Sequence, residues 1–183
     1  MNRVRTSVLL TVALSFTSCD TDATQESARA SSDADFARTS QQSASGHVER
    51  ELLAGVEKYS FTAHLLGNGT VHGRFTVRDI LADGSEGGWA KGAVTCFTIE
   101  PDGRTARMGG VVESASNPTV IGSDAIWTAQ DNGEGQLPVQ DQATELLWAL
   151  GAGFAAFHCN EGLSTDAFGT FGPSARANVQ IRS

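Results

Sequence analysis

The stretch KYSFTAHLLGNGTVHGRFTVR, residues 58–78, decides the fold class. Tyr59, Phe61, Ala63 and Leu65 alternate with polar residues, as do Val71, Gly73, Phe75 and Val77. A period of two is the mark of a half-buried strand. Between the two runs, Gly67-Asn68-Gly69 predicts a three-residue hairpin loop with Gly69 left-handed and Leu66 paired with Thr70. That register sets Phe61 opposite Phe75 and Ala63 opposite Gly73, so the two apolar faces coincide. Turn chemistry and hydrophobic pattern give one answer, as expected of a sequence that specifies a single structure.

The same alternation recurs at 89–99, 105–113, 124–130, 143–150 and 175–182. The turn EPDGR separates the first two of these, its Pro-Asp-Gly being a tight-turn signal. About seven strands with short turns and no long amphipathic helix predict an all-β domain, an antiparallel sandwich or barrel. A short helical turn is expected near 151–158. There Gly151, Gly153 and Ala156 satisfy G-x-G-x-x-A, the fingerprint of a dinucleotide-binding turn. That motif needs βαβ repeats after it, and only about 30 residues follow, ending in a strand. The run is therefore read as a strand end followed by a helical turn that presents Cys159.

The chain begins MNRVRTSVLLTVALSFTSC, two arginines followed by an apolar run and small residues ending at a cysteine. The apolar run is about ten residues, short of the roughly 20 that a membrane-spanning helix needs, and reads as an export signal over 1–18. SFTSC resembles the lipobox of bacterial lipoproteins, although Phe16 stands where that pattern prefers Leu. The resemblance implies a lipidated Cys19 and a protein anchored to a membrane in the cell envelope. With Cys19 assigned to lipid, Cys96 and Cys159 are left as an even pair in an oxidising compartment, where a disulfide is the expectation.

Residues 20–45 hold one large apolar side chain, Phe36, among Ser, Ala, Thr, Asp and Gln. Such composition predicts a disordered tether, and a single β domain is expected over 46–183. The net charge is -8 at pH 7, and no basic cluster is expected anywhere. A chain this acidic is a poor partner for nucleic acid, whose binding rests on Lys and Arg neutralising phosphate.

The strings GAVTCFTI and DNGEG, then a late cysteine and a closing ANVQIR, resemble a family of uncharacterised exported bacterial proteins sharing a small all-β domain. The likeness covers roughly residues 57–183. It implies an exported β domain and carries no activity with it.

Three groups of residues are candidates for binding. Asp131, Asn132, Glu134 and Asp141 place oxygen donors in one loop, the hard ligand set that Ca²⁺ accepts, although Asn-Gly is also an ordinary hairpin turn. His64 and His72 fall opposite one another in the first hairpin, within reach of a shared metal or simply as an exposed polar pair, with His47 as a further donor. Trp89, at a strand start, is the tryptophan placed to stack on a sugar, whereas Trp127 and Trp148 sit in apolar phase. His158 beside Cys159 makes a Cys-His nucleophile only if that thiol is free. Nucleophile-elbow, zinc-protease and phosphate-loop motifs are absent from the sequence. The expected function is therefore a membrane-tethered, non-catalytic structural or binding module, with an envelope protein or glycan as partner. A calcium- or glycan-binding module and a hydrolase with an unrecognised site are the competing readings.

Overall fold

The computed structural model describes residues 40–133, 140–163, 172–173 and 176–183. The expected signal, Cys19, most of the expected tether and Glu134 lie outside the described residues. The fold is all-β and antiparallel, a nearly closed barrel-like sheet with one short helix. Its strands are β1 Ser40–Leu52, β2 Gly55–Leu66, β3 Val71–Leu81, β4 Glu86–Ile99, β5 Thr105–Ala115, β6 Asp124–Gln130, β7 Gln142–Ala143, β8 Leu147–Leu150, β9 Gly172–Pro173 and β10 Arg176–Arg182. The helix, α1, is Phe154–Glu161.

The sheet order is β10-β1-β2-β3-β4-β5-β6-β7-β9, with β8 also on β6. Ten strands replace the expected seven for three reasons. β1 begins at Ser40, so 40–45 belong to the sheet rather than to the tether. The run at 143–150 is broken by 144–146 into β7 and β8. β9 is a two-residue strand on β7.

The predicted hairpin register is the observed one: Phe61 faces Phe75, Ala63 faces Gly73 and His64 faces His72. The Leu66 amide donates to the Thr70 carbonyl at 2.9 Å, and Gly69 takes φ +80°. The inward faces pack through a row that runs Gly46, Phe61, Phe75, Gly92 across β1 to β4. Each phenylalanine lies over a glycine: a Cβ on Gly46 would sit 2.8 Å from the Phe61 ring, and one on Gly92 the same distance from Phe75. Glycines that leave room for a neighbouring ring let a small barrel curve tightly. Both rings then meet Trp127 of β6, at centroid distances of 5.8 and 5.4 Å.

Helix α1 covers the outer side of β4, β5 and β6. This is why β6 is buried on both faces, with Ala125, Trp127 and Ala129 in the barrel core and Asp124, Ile126 and Thr128 on the other side. A β-bulge between Val94 and Cys96 shifts the phase of β4 and turns Cys96 outward, where it is bonded to Cys159 of the helix. Gly109 makes the approach possible, since a Cβ there would lie 2.8 Å from both Ala155 and the Cys96 sulfur.

Candidate functional site

The barrel closes without a full ladder between its last strands. β10 runs beside β6 and β7, and its outward amides are taken by two carboxylates. Asp141 Oδ2 accepts from Val179 N at 2.7 Å, and Asp131 Oδ2 accepts from Ile181 N at 3.0 Å. Their other oxygens accept from Asn132 N and Gly133 N, while Asn132 Nδ2 donates to the Gln140 carbonyl. Three members of the proposed calcium set therefore form a seam clamp in which every carboxylate oxygen receives an amide hydrogen. Among the described residues, no group of three or more His, Cys, Asp or Glu is arranged to hold a metal.

A second set of side chains reaches across the barrel to the break between β7 and β8. Arg50 Nη1 donates to Ala143 O at 2.7 Å, Tyr59 OH to Thr144 O at 2.7 Å, and Leu146 N to Glu57 Oε2 at 3.1 Å. Arg50, Glu57 and Asp79 are neighbours in one cross-strand row. Glu57 is 1% exposed, and burial, reinforced by the nearby Glu145 and Asp79 charges, pushes its carboxyl up to about 8 against the lowering effect of the Leu146 amide and Arg50. Burial, then Glu145, also raises Asp79. Glu57 lacks any motif in the sequence that marks it, but it shares the parity of Tyr59, Phe61 and Ala63, which places it inside. Asp124 and Glu145 have separate partners: Asp124 Oδ2 accepts from Ala155 N at the start of α1, and Glu145 acts on Glu57 and Asp79.

Beneath the helix, His158 is 4% exposed, its Nε2 lying 3.1 Å from Thr128 Oγ1 and 3.2 Å from Trp127 O. Leu163 N donates to Nδ1 at 3.4 Å, so the hydrogen sits on Nε2. Burial lowers the imidazole's affinity for a second proton. Since Cys159 is in the disulfide, the Cys-His nucleophile is not present, and His158 anchors the helix instead.

The remaining candidates lie on the outer surface of β1 to β4. Two adjoining depressions, of about 460 and 400 Å³, share His47, Ser60, Thr76 and Asn178. These four residues form one cross-strand row. Ser60 and Thr76 bond through their hydroxyls at 2.8 Å. His64 and His72 occupy a parallel row four residues along β2 and β3, and Trp89 is half-buried on the outer side of β4, opposite Arg78. The histidine pair and the tryptophan thus border the grooved face without lining its depressions. Compared with known proteins, the chain matches no family model, no curated protein and no solved structure.

Proposed function

We propose that the chain is an exported, lipid-tethered binding module: Cys19 carries the anchor, the barrel is a rigid support, and the outer face of β10-β1-β2-β3 takes a polar ligand at the cell envelope. The observation that carries this reading is the pair of adjoining depressions around His47, Ser60, Thr76 and Asn178. Concavity with convergent polar groups is the usual form of a ligand site. The other polar clusters serve the fold: Asp131 and Asp141 hold the seam, Glu57 and Tyr59 hold the β7–β8 break, and His158 holds the helix. A glycan suits the depressions better than calcium, because Glu49 is the one carboxylate among their lining residues, beside hydroxyl, amide, basic and apolar side chains.

Melting of the oxidised full chain in detergent, with chelator, Ca²⁺, Zn²⁺ and a panel of neutral and acidic oligosaccharides, tests the reading. A ligand at about 100 times its Kd adds roughly 2.7 kcal/mol, a shift of several degrees. The expected result is such a shift with one oligosaccharide, abolished by Thr76→Tyr, which fills the depressions with a strand-compatible side chain. A flat panel, or a shift that Thr76→Tyr leaves intact, contradicts it.

A further inference from the structure

We propose that the grooved face binds an anionic oligosaccharide, one bearing carboxylate or sulfate groups on a hydroxylated chain. This rests on the binding-module reading and adds the ligand's charge. Although the whole chain carries -8, strand register brings its cations together on this face. One row runs Arg176, Glu49, Lys58, Arg78 across β10, β1, β2 and β3. The next runs Asn178, His47, Ser60, Thr76 and ends on Lys91 of β4. A third runs Gln180, Ser45, Thr62, Arg74, and the fourth joins Arg182 to Ser43, His64 and His72. Six cations thus share four rows with one anion, Glu49.

Two further carboxylates reach the face from its border, Glu113 pairing with Arg74 at 2.8 Å and Glu86 with Arg78 at 3.2 Å. Glu49 pairs with Lys58 at 2.9 Å. With these three carboxylates set against the six cations, three positive charges remain in excess, or two when Glu51, which shares the next outward row with Glu86, is counted as well. Arg176, Lys91 and Arg182 have no carboxylate ion pair among the described residues. The paired cations stay accessible, the Arg74, Arg78 and Lys58 side chains being 72%, 65% and 49% exposed. Exposed pairs of this kind are worth at most about 1 kcal/mol, so an anionic ligand can displace them.

The lining argues for a sugar rather than an acidic protein segment. Protein interfaces draw their energy from buried aromatic and aliphatic anchors. Among the described residues, the exposed large hydrophobic side chains, Leu53, Leu81, Ile121, Phe154 and Phe157, line neither depression. What lies between the cations is Ser45, Ser60, Thr62, Thr76 and Asn178, side chains that both donate and accept. Strands about 4.8 Å apart repeat these groups at close to the spacing of successive pyranose rings, and four strands span about three of them.

Calorimetric titration of the full chain with hexagalacturonate, maltohexaose and hexaglutamate tests the proposal. Hexagalacturonate is expected to bind, with affinity falling at least tenfold in Arg176→Gln combined with Arg74→Gln, and again at least tenfold between 50 and 300 mM NaCl. Equal, salt-independent binding of maltohexaose overturns the anionic inference but leaves the module reading standing. Hexaglutamate binding as tightly as the uronate overturns the sugar in favour of an acidic peptide. No binding of any of the three overturns the inference, while the module reading falls only if the melting panel is also flat or its shift survives Thr76→Tyr.

Discussion

Asp141 and Val179, 38 residues apart, are joined by a 2.7 Å bond from the Val179 amide to the Asp141 carboxylate, and that bond closes the barrel where a strand ladder would otherwise run. Asp131 repeats the arrangement on Ile181, two residues along β10. Hydrogen bonds to a charged partner contribute about 1.5–3 kcal/mol, and an Asn at position 141 can turn a donor toward a donor. Asp141→Asn is expected to lower unfolding stability by about that amount in urea titration. Hydrogen exchange at Val179 should quicken, while that of Phe61 stays slow.

Glu57 makes stability depend on pH. Its carboxyl titrates at about 8 in the fold and near 4.5 when unfolded, so the folded state holds the extra proton between those values. Its stabilising contribution is complete below pH 4.5 and is lost as pH rises through 8, by up to about 1.4 kcal/mol per pH unit. Asp79, also raised, acts in the same direction. Urea midpoints at pH 5, 7 and 9 should fall steadily in the native chain. Glu57→Gln should flatten most of that slope and exceed the native protein at pH 9.

Reduction should loosen the helix before the barrel. The Cys96–Cys159 bond closes a separation of 63 residues, and chain-entropy arguments give such a bridge about 4 kcal/mol. Cys96→Ala with Cys159→Ala is expected to lower stability by up to that amount. Exchange at Ala155 and Phe157 should speed up well before that of β2 and β3.

The glycines under the rings are predicted to be intolerant. A Cβ on Gly92 would lie 2.0 Å from the Val111 carbonyl oxygen as well as 2.8 Å from Phe75, so backbone must move. Gly92→Ala should cost about 1–3 kcal/mol or more, with a change in the near-ultraviolet circular dichroism of Trp127, whose ring Phe75 supports.

The tether has its own test. Mass spectrometry of the mature protein should find an acylated cysteine, Cys19, at the N-terminus, and Cys19→Ala should move the protein from the membrane to the soluble fraction. Multiple acyl chains hold a protein stably, whereas one does so only marginally. An unmodified N-terminus elsewhere would contradict the anchor.

What the sequence made legible follows the range of its signals. The 58–78 hairpin could be read to the residue, because loop chemistry and alternation act within 21 neighbouring positions. The start of β1 resembles tether in sequence because its first inward residues are Ala44 and Gly46: opposite Phe61 only a small group fits, so that part of the strand carries little apolar signal. The break at 144–146 was hidden because its hydrogen bonds come from Arg50, Tyr59 and Glu57, more than 80 residues away. The carboxylates of the DNGEG region and of Asp141 were visible as a cluster, but their amide partners on β10 were not. The basic face was the least legible, since Arg176, Lys58, Arg74 and Lys91 form no run in sequence and meet only through strand register.

The outer face of β10-β1-β2-β3 as the working surface is tested most directly by amide chemical-shift mapping of the full chain during titration with hexagalacturonate. The largest changes are expected at His47, Ser60, Thr76 and Asn178, with little at α1. Changes centred instead on Asp131 to Asp141, or on the helix around Phe154 and Phe157, would contradict it.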